Sequence, residues 1–315
     1  MVSDVPVGLQ LSGGIDSTII REIVPDSVES YSSIFEKDYS HDERRYIEEC
    51  SKRNRSKINW VTFGESYFRD NILNLFRHSG GVNHPHTLAI QQIASEASKK
   101  VKVLLSGEGA DELFVGYERY AKVVNETEII SNAEFYSDIE LESYFKMSGD
   151  DVISAKRSRE EFNQQTRDHK LMNRLRLLEI RFHLQNLLER YDIASMSHSI
   201  EGRVPFMSNE IIDYCLTKDA SSFVQDGILK SPLKDILIEN YNSDYVYRTK
   251  IGYRVPVNEW LFSPWFFEMV RESLDNSLVI RYLKPEVLTR IKDRKISDRN
   301  LLGKLYWTIL NLASL

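Results

Sequence analysis

The chain has 315 residues, of which 42% are apolar and 28% charged, enough for one large domain or two smaller ones with a substantial core. A formal net charge of −6 argues against a dedicated nucleic-acid binder, and no stretch approaches the ~20 consecutive apolar residues of a membrane helix, so neither a nucleic acid nor a membrane is expected as partner. Met1-Val2-Ser3-Asp4 leads straight into the first apolar run without a secretion leader. Cys50 and Cys215 form no Cys-x-x-Cys pair of the kind found in zinc ribbons or redox motifs; together these features favour the cytoplasm.

Val7 to Leu11 is short and apolar enough for a buried strand. Ser12-Gly13-Gly14 then allows a sharp turn and close backbone approach, and Ile15 to Ile20 reads as the start of a helix with Asp16 and Ser17 in its first turn. A strand, a glycine turn and a helix N-terminus together make an anion site, because backbone N–H groups and the positive end of the helix dipole face the bound group. Ser12 and Ser17 add hydroxyls. Asp16 has the wrong charge for phosphate but suits Mg²⁺ shared with phosphate oxygens. The glycine pair alone is equally compatible with an ordinary tight turn; the full Ser-Gly-Gly-Ile-Asp-Ser string is far more specific. Gly303-Lys304 lacks the upstream glycine and following hydroxyl of a kinase-type phosphate loop.

Further along, Glu29–Phe35, Lys57–Phe63 and Val101–Leu105 read as strands. His41–Arg53, 65–78 and 87–99 read as helices, with a loop from Ser79 through His84-Pro85 between the last two. The alternation implies parallel βαβ units in a doubly wound, mostly parallel α/β sheet, whose ligands sit outside the carboxyl ends of the strands. Past about residue 121 the chain turns polar and irregular to residue 172. A strong amphipathic helix follows over Leu171–Leu188, with helix-like stretches at 209–240, 256–275 and 299–315. Two regions are therefore expected, 1–120 and 121–315, the second as helices packed on the sheet rather than as a separate domain.

Leu105-Ser-Gly-Glu-Gly-Ala-Asp-Glu-Leu-Phe places Glu108, Asp111 and Glu112 at a helix start after a buried strand. Acids favour a first helical turn in any case, and Gly107-x-Gly109 is a weak dinucleotide signal; the glycines beside three acids are the more telling feature. If the two loops share a crevice, Asp16 and Asp111 can share Mg²⁺, leaving Glu108 to act as a base or to orient a nucleophile. Arg190, Asp192, Glu201 and Arg203 among apolar residues suggest a buried charge network, which must pair to be tolerated. Arg248 and Lys250 precede a glycine turn and could reach a pyrophosphate; a solvated loop explains them equally well.

Ser12-Gly-Gly-Ile-Asp-Ser17 resembles the pyrophosphate loop of ATP pyrophosphatases. With Asp4-Val-Pro-Val-Gly before it and Ser106-Gly-Glu-Gly-Ala-Asp-Glu-Leu-Phe, Ser195-Met196, Glu201-x-Arg203-x-Pro205-Phe206 and Arg248-x-Lys250-x-Gly252 following in order, the chain is similar to the synthetase domain of asparagine synthetase B-type enzymes. β-Lactam synthetases and lasso-peptide cyclases are related to these. The resemblance covers essentially the whole chain. It implies an adenine nucleotide α-hydrolase-like fold and an ATP-dependent, amide-forming carbon–nitrogen ligase, most simply converting aspartate to asparagine. ATP would be lined by Leu11, Ser12, Gly13, Gly14, Asp16, Ser17, Ser33, Ser106 and Gly107, and Mg²⁺ held by Asp16 and Asp111. Glu108 and Lys250 would be the catalytic pair, Glu108 beside the acyl-adenylate and Lys250 near pyrophosphate and the activated carboxylate.

Members usually carry an N-terminal glutaminase domain opening with a cysteine. Here the chain starts just before the phosphate loop, so free ammonia, a separate glutaminase chain, another amine, or a longer parent protein is expected. A homodimer is among the partners left open. The family's Pro-Phe-Leu-Asp reads Pro205-Phe206-Met207-Ser208, Phe114-Val115-Gly116 replaces a Gly-Gly pair, and the His84-Pro85-His86 loop differs from aspartate-specific members. A sugar uronate, an internal carboxylate closed to a ring, or a nucleotide-binding subunit without catalysis are the competing readings.

Overall fold

The computed structural model describes residues 3–36, 43–79, 86–122, 136–147, 149–249 and 257–315. The chain divides into two compact units. One comprises Met1–Gly64, His86–Val124 and Arg167–Val255; the other comprises Glu65–Pro85, Asn125–Thr166 and Pro256–Leu315.

The first unit is built on a sheet of five parallel strands, β1 (Val7–Gln10), β2 (Glu29–Phe35), β3 (Ile58–Phe63), β4 (Val103–Leu105) and β5 (Glu201–Arg203), in the order β3-β2-β1-β4-β5. Helices Ile15–Ile23 and Arg44–Arg53 connect β1 to β2 and β2 to β3. The chain then crosses past β1 and returns through the helix Thr87–Ala97 to β4. The direction of winding therefore reverses between β1 and β4, and sheets of this kind bind their ligands outside the carboxyl ends of the strands at that switch point. Leu9 lies in register with Leu105, so the loops that follow the two strands leave the sheet side by side.

β1 is central because its side chains tolerate burial on both faces: Leu9 is wholly buried, and Gly8 gives up its side chain to the Tyr31 ring. A Cβ on Gly8 would lie 2.8 Å from Tyr31 Cε2. Tyr31, Val61, Ile93, Ala97, Val101, Leu104 and Ile200 form a core that joins the sheet to the Thr87–Ala97 helix. Ile90 of that helix packs with Tyr191 and Ala194 of the helix Gln185–Met196. The stretch read as one helix over Leu171–Leu188 is a longer one in three parts: Leu171–Leu178, a π-helical segment Glu179–Leu184, and Gln185–Met196.

The fifth strand has no apolar signature in its sequence, Glu-Gly-Arg; its position is fixed by pairing with β4 at the edge. The span 209–240 is not one helix. It holds helix Asn209–Thr217, a short ribbon of Val224–Gln225 against Ile228–Leu229, and helix Ser231–Ile238. The break comes at Asp226-Gly227, with φ of 50° and 78°, the residue pair that two-residue hairpins of the primed type favour.

The second unit is helical among its described residues. Phe68, Ile72 and Phe76 of the helix Glu65–Ser79 are fully buried, and Phe76 meets the Trp307 ring edge-on at 5.0 Å. Trp307 lies on the closing helix Arg299–Ser314. The polar stretch after residue 135 contains helices Asp138–Tyr144 and Gly149–Gln165, the first started by a reciprocal capping box between Ser137 and Glu140. Among the described residues no helix is long and apolar enough to cross a membrane.

Candidate active site

The loop after β1 turns through Gly13, whose φ of 76° favours a residue without Cβ; an added Cβ would also lie 3.1 Å from Ile47 and 3.3 Å from the Glu43 carbonyl oxygen. Gly14 starts the Ile15–Ile23 helix, and no side chain caps it, so the first turn keeps the anion-binding character expected of it. Ser12 and Ser17 hydroxyls lie 3.1 Å apart. Ser17 donates to the Gly14 carbonyl at 3.1 Å and accepts from the Ser12 N–H at 3.2 Å, while the Gly14 N–H points to Ser12 Oγ at 3.3 Å. The two hydroxyls thus line the inside of the turn. Leu11 is buried, its carbonyl accepting from Ser32 Oγ at 2.7 Å. Ser33, on β2, has a buried hydroxyl with no partner among the described residues.

The loop after β4 is anchored by the Ser106 N–H, which donates to the Arg203 carbonyl on β5 at 2.9 Å; Ser106 Oγ in turn accepts from the Glu108 N–H at 3.3 Å. Gly107 is where the two loops touch. A Cβ there would stand 2.9 Å from Asp16 Cβ and 3.1 Å from the Ser17 nitrogen, so a side chain would push them apart. The short helix Ala110–Leu113 then carries Asp111 and Glu112.

Asp16 and Asp111 converge, and the group between them is Lys230, which sequence reading did not single out. Its Nζ lies 2.7 and 2.8 Å from the two Asp16 oxygens and 2.8 Å from Asp111 Oδ1, with only 3% of the residue exposed. Burial alone would lower the lysine pKa; Asp111 and Asp16 outweigh it and raise it, so the side chain is a held ammonium. Gly116 makes the room: a Cβ on it would sit 2.0 Å from Lys230 Cε and 2.1 Å from Asp111 Oδ1. Val115, within the stretch that replaces the family's Gly-Gly pair, has φ 58°, a conformation unfavourable for a β-branched residue. Two carboxylates facing one cation are the all-oxygen set a hard divalent ion takes, with phosphate oxygens and water completing the shell, so the pair fits Mg²⁺. Among the described residues, no group of three or more acids, histidines or cysteines forms around a common centre.

Glu108 is held by Arg190, whose Nη2 lies 2.9 Å from Glu108 Oε1 with side chains 14% and 23% exposed. Glu112 is buried; loss of solvent and then the Asp111 charge push its carboxyl up to about 7, and it accepts the Tyr117 hydroxyl. The expected buried charge network thus reduces to one member, Arg190. Asp192 is exposed, and Glu201 and Arg203 pair with each other at the surface, their side chains 58% and 37% exposed. Two residues apart on an edge strand, the two share one face, where solvent is available to both.

The Arg248 guanidinium lies over the Tyr46 ring at 3.8 Å, donates to the Gly13 carbonyl at 2.7 Å and pairs with Glu43, bracing the Ser12-Gly13-Gly14 turn. Tyr245 supports the same region through Thr18 at 2.8 Å. Lys250, Gly252 and the His84-Pro85 positions lie outside the described residues.

The family model "Asparagine synthase" matches residues 1–315. The chain is 23% identical over 353 residues to glutamine-hydrolyzing asparagine synthetase 1 of Bacillus subtilis (strain 168), covering 98% of this chain and 56% of that protein. It is 25% identical over 335 residues to glutamine-hydrolyzing asparagine synthetase 3 of the same organism, covering 96% and 52%. A putative glutamine-hydrolyzing asparagine synthetase 1 of Methanocaldococcus jannaschii is 25% identical over 219 residues, 67% of this chain and 32% of that protein. The chain spans about half the length of the two Bacillus relatives. With a full-length family match, the chain belongs to the asparagine synthase family.

Proposed function

We propose that this chain is an ATP-dependent amide-forming ligase. It adenylates a carboxylate, in the simplest case the β-carboxylate of L-aspartate, releases pyrophosphate, and transfers ammonia to the acyl-adenylate to give the amide and AMP. One observation carries the reading: two glycine loops from neighbouring strands bring Asp16 and Asp111 to a single buried cation at the switch point of the sheet.

A carboxylate is a poor electrophile, and attack of its oxygen on the α-phosphorus of ATP converts it to a mixed anhydride while pyrophosphate leaves. Ser12, Ser17 and the uncapped helix start receive the departing phosphates. Mg²⁺, held by Asp16 and Asp111, would supply charge neutralisation to the triphosphate. Lys230 stands where its ammonium can pass to a phosphate oxygen. Glu108, oriented by Arg190, takes the proton that ammonia loses as it attacks the acyl carbon. Lys250 is assigned to the pyrophosphate and the activated carboxylate by family resemblance alone. Ammonia is the nitrogen donor of this chain, and a glutaminase on another chain or segment is its natural source.

Pyrophosphate release is measured against aspartate, uronates and other carboxylates, with ammonium and glutamine as separate arms. The reading requires one carboxylate to drive stoichiometric formation of AMP, pyrophosphate and amide with ammonium. A uronate or an internal carboxylate as the sole substrate moves the assignment within the same chemistry. Nucleotide binding without pyrophosphate release on any carboxylate makes the chain a non-catalytic nucleotide subunit and overturns it.

A further inference from the structure

Lys230 occupies the space that a divalent ion shared by Asp16 and Asp111 would need. We infer that Lys230 is a resident counter-cation of the nucleotide-free site, which holds the two carboxylates together and is exchanged for the ion only when ATP arrives. Free Mg²⁺ then does not load ahead of the nucleotide. This rests on the reading of Asp16 and Asp111 as the metal pair.

The placement of the ammonium is specific. Its contacts to both Asp16 oxygens and to Asp111 Oδ1 are 2.7, 2.8 and 2.8 Å. The backbone of Lys230 is left-handed, with φ 56°, which a side chain with Cβ adopts only when the surroundings impose it. The surroundings do so. The Asp226-Gly227 hairpin immediately precedes it, and the helix Ser231–Ile238 immediately follows. Gly116 keeps the volume open that the Lys230 stem fills. A lysine delivered by a tight ribbon into a slot kept clear by a glycine is built into the site, unlike a surface lysine that happens to find a carboxylate.

Charge decides the exchange. Two carboxylates and one ammonium leave a single negative charge, a weak attraction for a dication that must also share a buried space with the ammonium. ATP brings several negative charges, and its phosphate oxygens offer the ammonium new partners. The four-carbon stem lets the head group swing to them from a fixed Cα. The carboxylates are then released to the ion as the nucleotide enters.

The full chain is titrated with Mn²⁺ without nucleotide, by electron paramagnetic resonance or calorimetry. The comparison is between wild type, Lys230→Met, Asp16→Asn and the double variant Lys230→Met with Asp16→Asn. Far-UV circular dichroism reports folding. A site closed by the lysine in nine-tenths or more of the molecules loses about 10-fold in apparent affinity, so Lys230→Met is expected to bind Mn²⁺ at least ~10-fold more tightly than wild type. Its melting temperature should rise with added Mg²⁺, which replaces the missing cation, while that of wild type should not respond. If Lys230→Met fails to fold, Lys230→Gln must show the same tightening. Equal or weaker Mn²⁺ binding by the lysine variants overturns the exchange. If Asp16→Asn weakens Mn²⁺ binding equally with and without the lysine, the metal pair stands and the exchange alone is wrong. If Asp16→Asn has no effect in the Lys230→Met background, the metal pair itself is wrong, and the exchange with it.

Discussion

Replacing Arg190 by methionine should separate the two chemical steps. Arg190 lies within hydrogen-bond distance of Glu108, at 2.9 Å, and both side chains are mostly shielded from water, so solvent screens the pair only in part. A hydrogen bond between charged groups contributes about 1.5–3 kcal/mol, which corresponds to roughly 10–150-fold in a rate that depends on it. Methionine keeps the apolar stem and removes the guanidinium, so the loss falls on the orientation of Glu108. Amide formation should drop by that factor while pyrophosphate release stays near wild type, because the phosphate end relies on Ser12, Asp16 and Asp111. Arg190→Lys restores the charge without the planar fork and should recover part of the loss. Glu108→Gln should lower amide formation by ~10²–10⁴-fold, the usual extent of general-base catalysis. The assay follows pyrophosphate and amide in parallel under single-turnover conditions, with the carboxylate chosen by the screen above. Loss of pyrophosphate release as complete as that of amide, in Arg190→Met or Glu108→Gln, would refute the division of roles.

Asp16→Asn should abolish pyrophosphate release on every carboxylate; residual release above a few per cent of wild type counts against Asp16 as a metal ligand. Gly116→Ala forces a methyl into the Lys230 slot and should cost about 1–3 kcal/mol of stability, read as a lower denaturation midpoint; an unchanged midpoint means the slot is not tightly filled. Asn59, Lys100 and Lys57 hold the Glu29 carboxyl down to about 2, so its stabilising effect is present above about 4.5 and is lost as pH falls towards 2. Glu29→Gln should therefore be less stable than wild type at pH 7, by about 1 kcal/mol or less since solvent reaches the group, and the difference should shrink below about pH 4.5 and close only as pH reaches about 2; a gap that widens on acidification contradicts this. Burial raises the Cys50 thiol and pushes that of Cys215 up to about 11, so both should react with a disulfide reagent at pH 8 only after denaturant is added.

The parts of this molecule that speak locally were legible in the sequence. Val7–Leu11 followed by Ser12-Gly13-Gly14 announces a strand, a turn and a helix because each choice is made by neighbouring residues. The same holds for Leu105-Ser106-Gly107, and the parallel sheet places the two side by side. What escaped is settled by distant contacts. β5 is a strand because β4 offers it an edge, and Arg190 reaches Glu108 across 82 positions. Lys230 carries no local mark of function. The one available signal was Asp226-Gly227, a strong hairpin pair that interrupts the helical pattern assigned to 209–240 and sets the lysine's direction. Arg248 read equally well as a pyrophosphate contact or as part of a solvated loop, because its charge was visible and its bond to the Gly13 carbonyl was not.

The bond between Lys230 and Asp16 spans 214 positions, and that of Arg248 to Gly13 spans 235. At ordinary elongation rates of about 5–20 residues per second, a ribosome needs on the order of 10–40 s to travel from the first residue of the Lys230–Asp16 pair to the second. The turn at Ser12-Gly13-Gly14 is therefore synthesised long before the two side chains that hold it. Through that interval its aspartate lacks the lysine that later holds it, and the Gly13 turn lacks its arginine brace. A nascent chain truncated anywhere between residues 18 and 229 would carry an intact Ser-Gly-Gly-Ile-Asp-Ser string and still lack the lysine that pairs with Asp16.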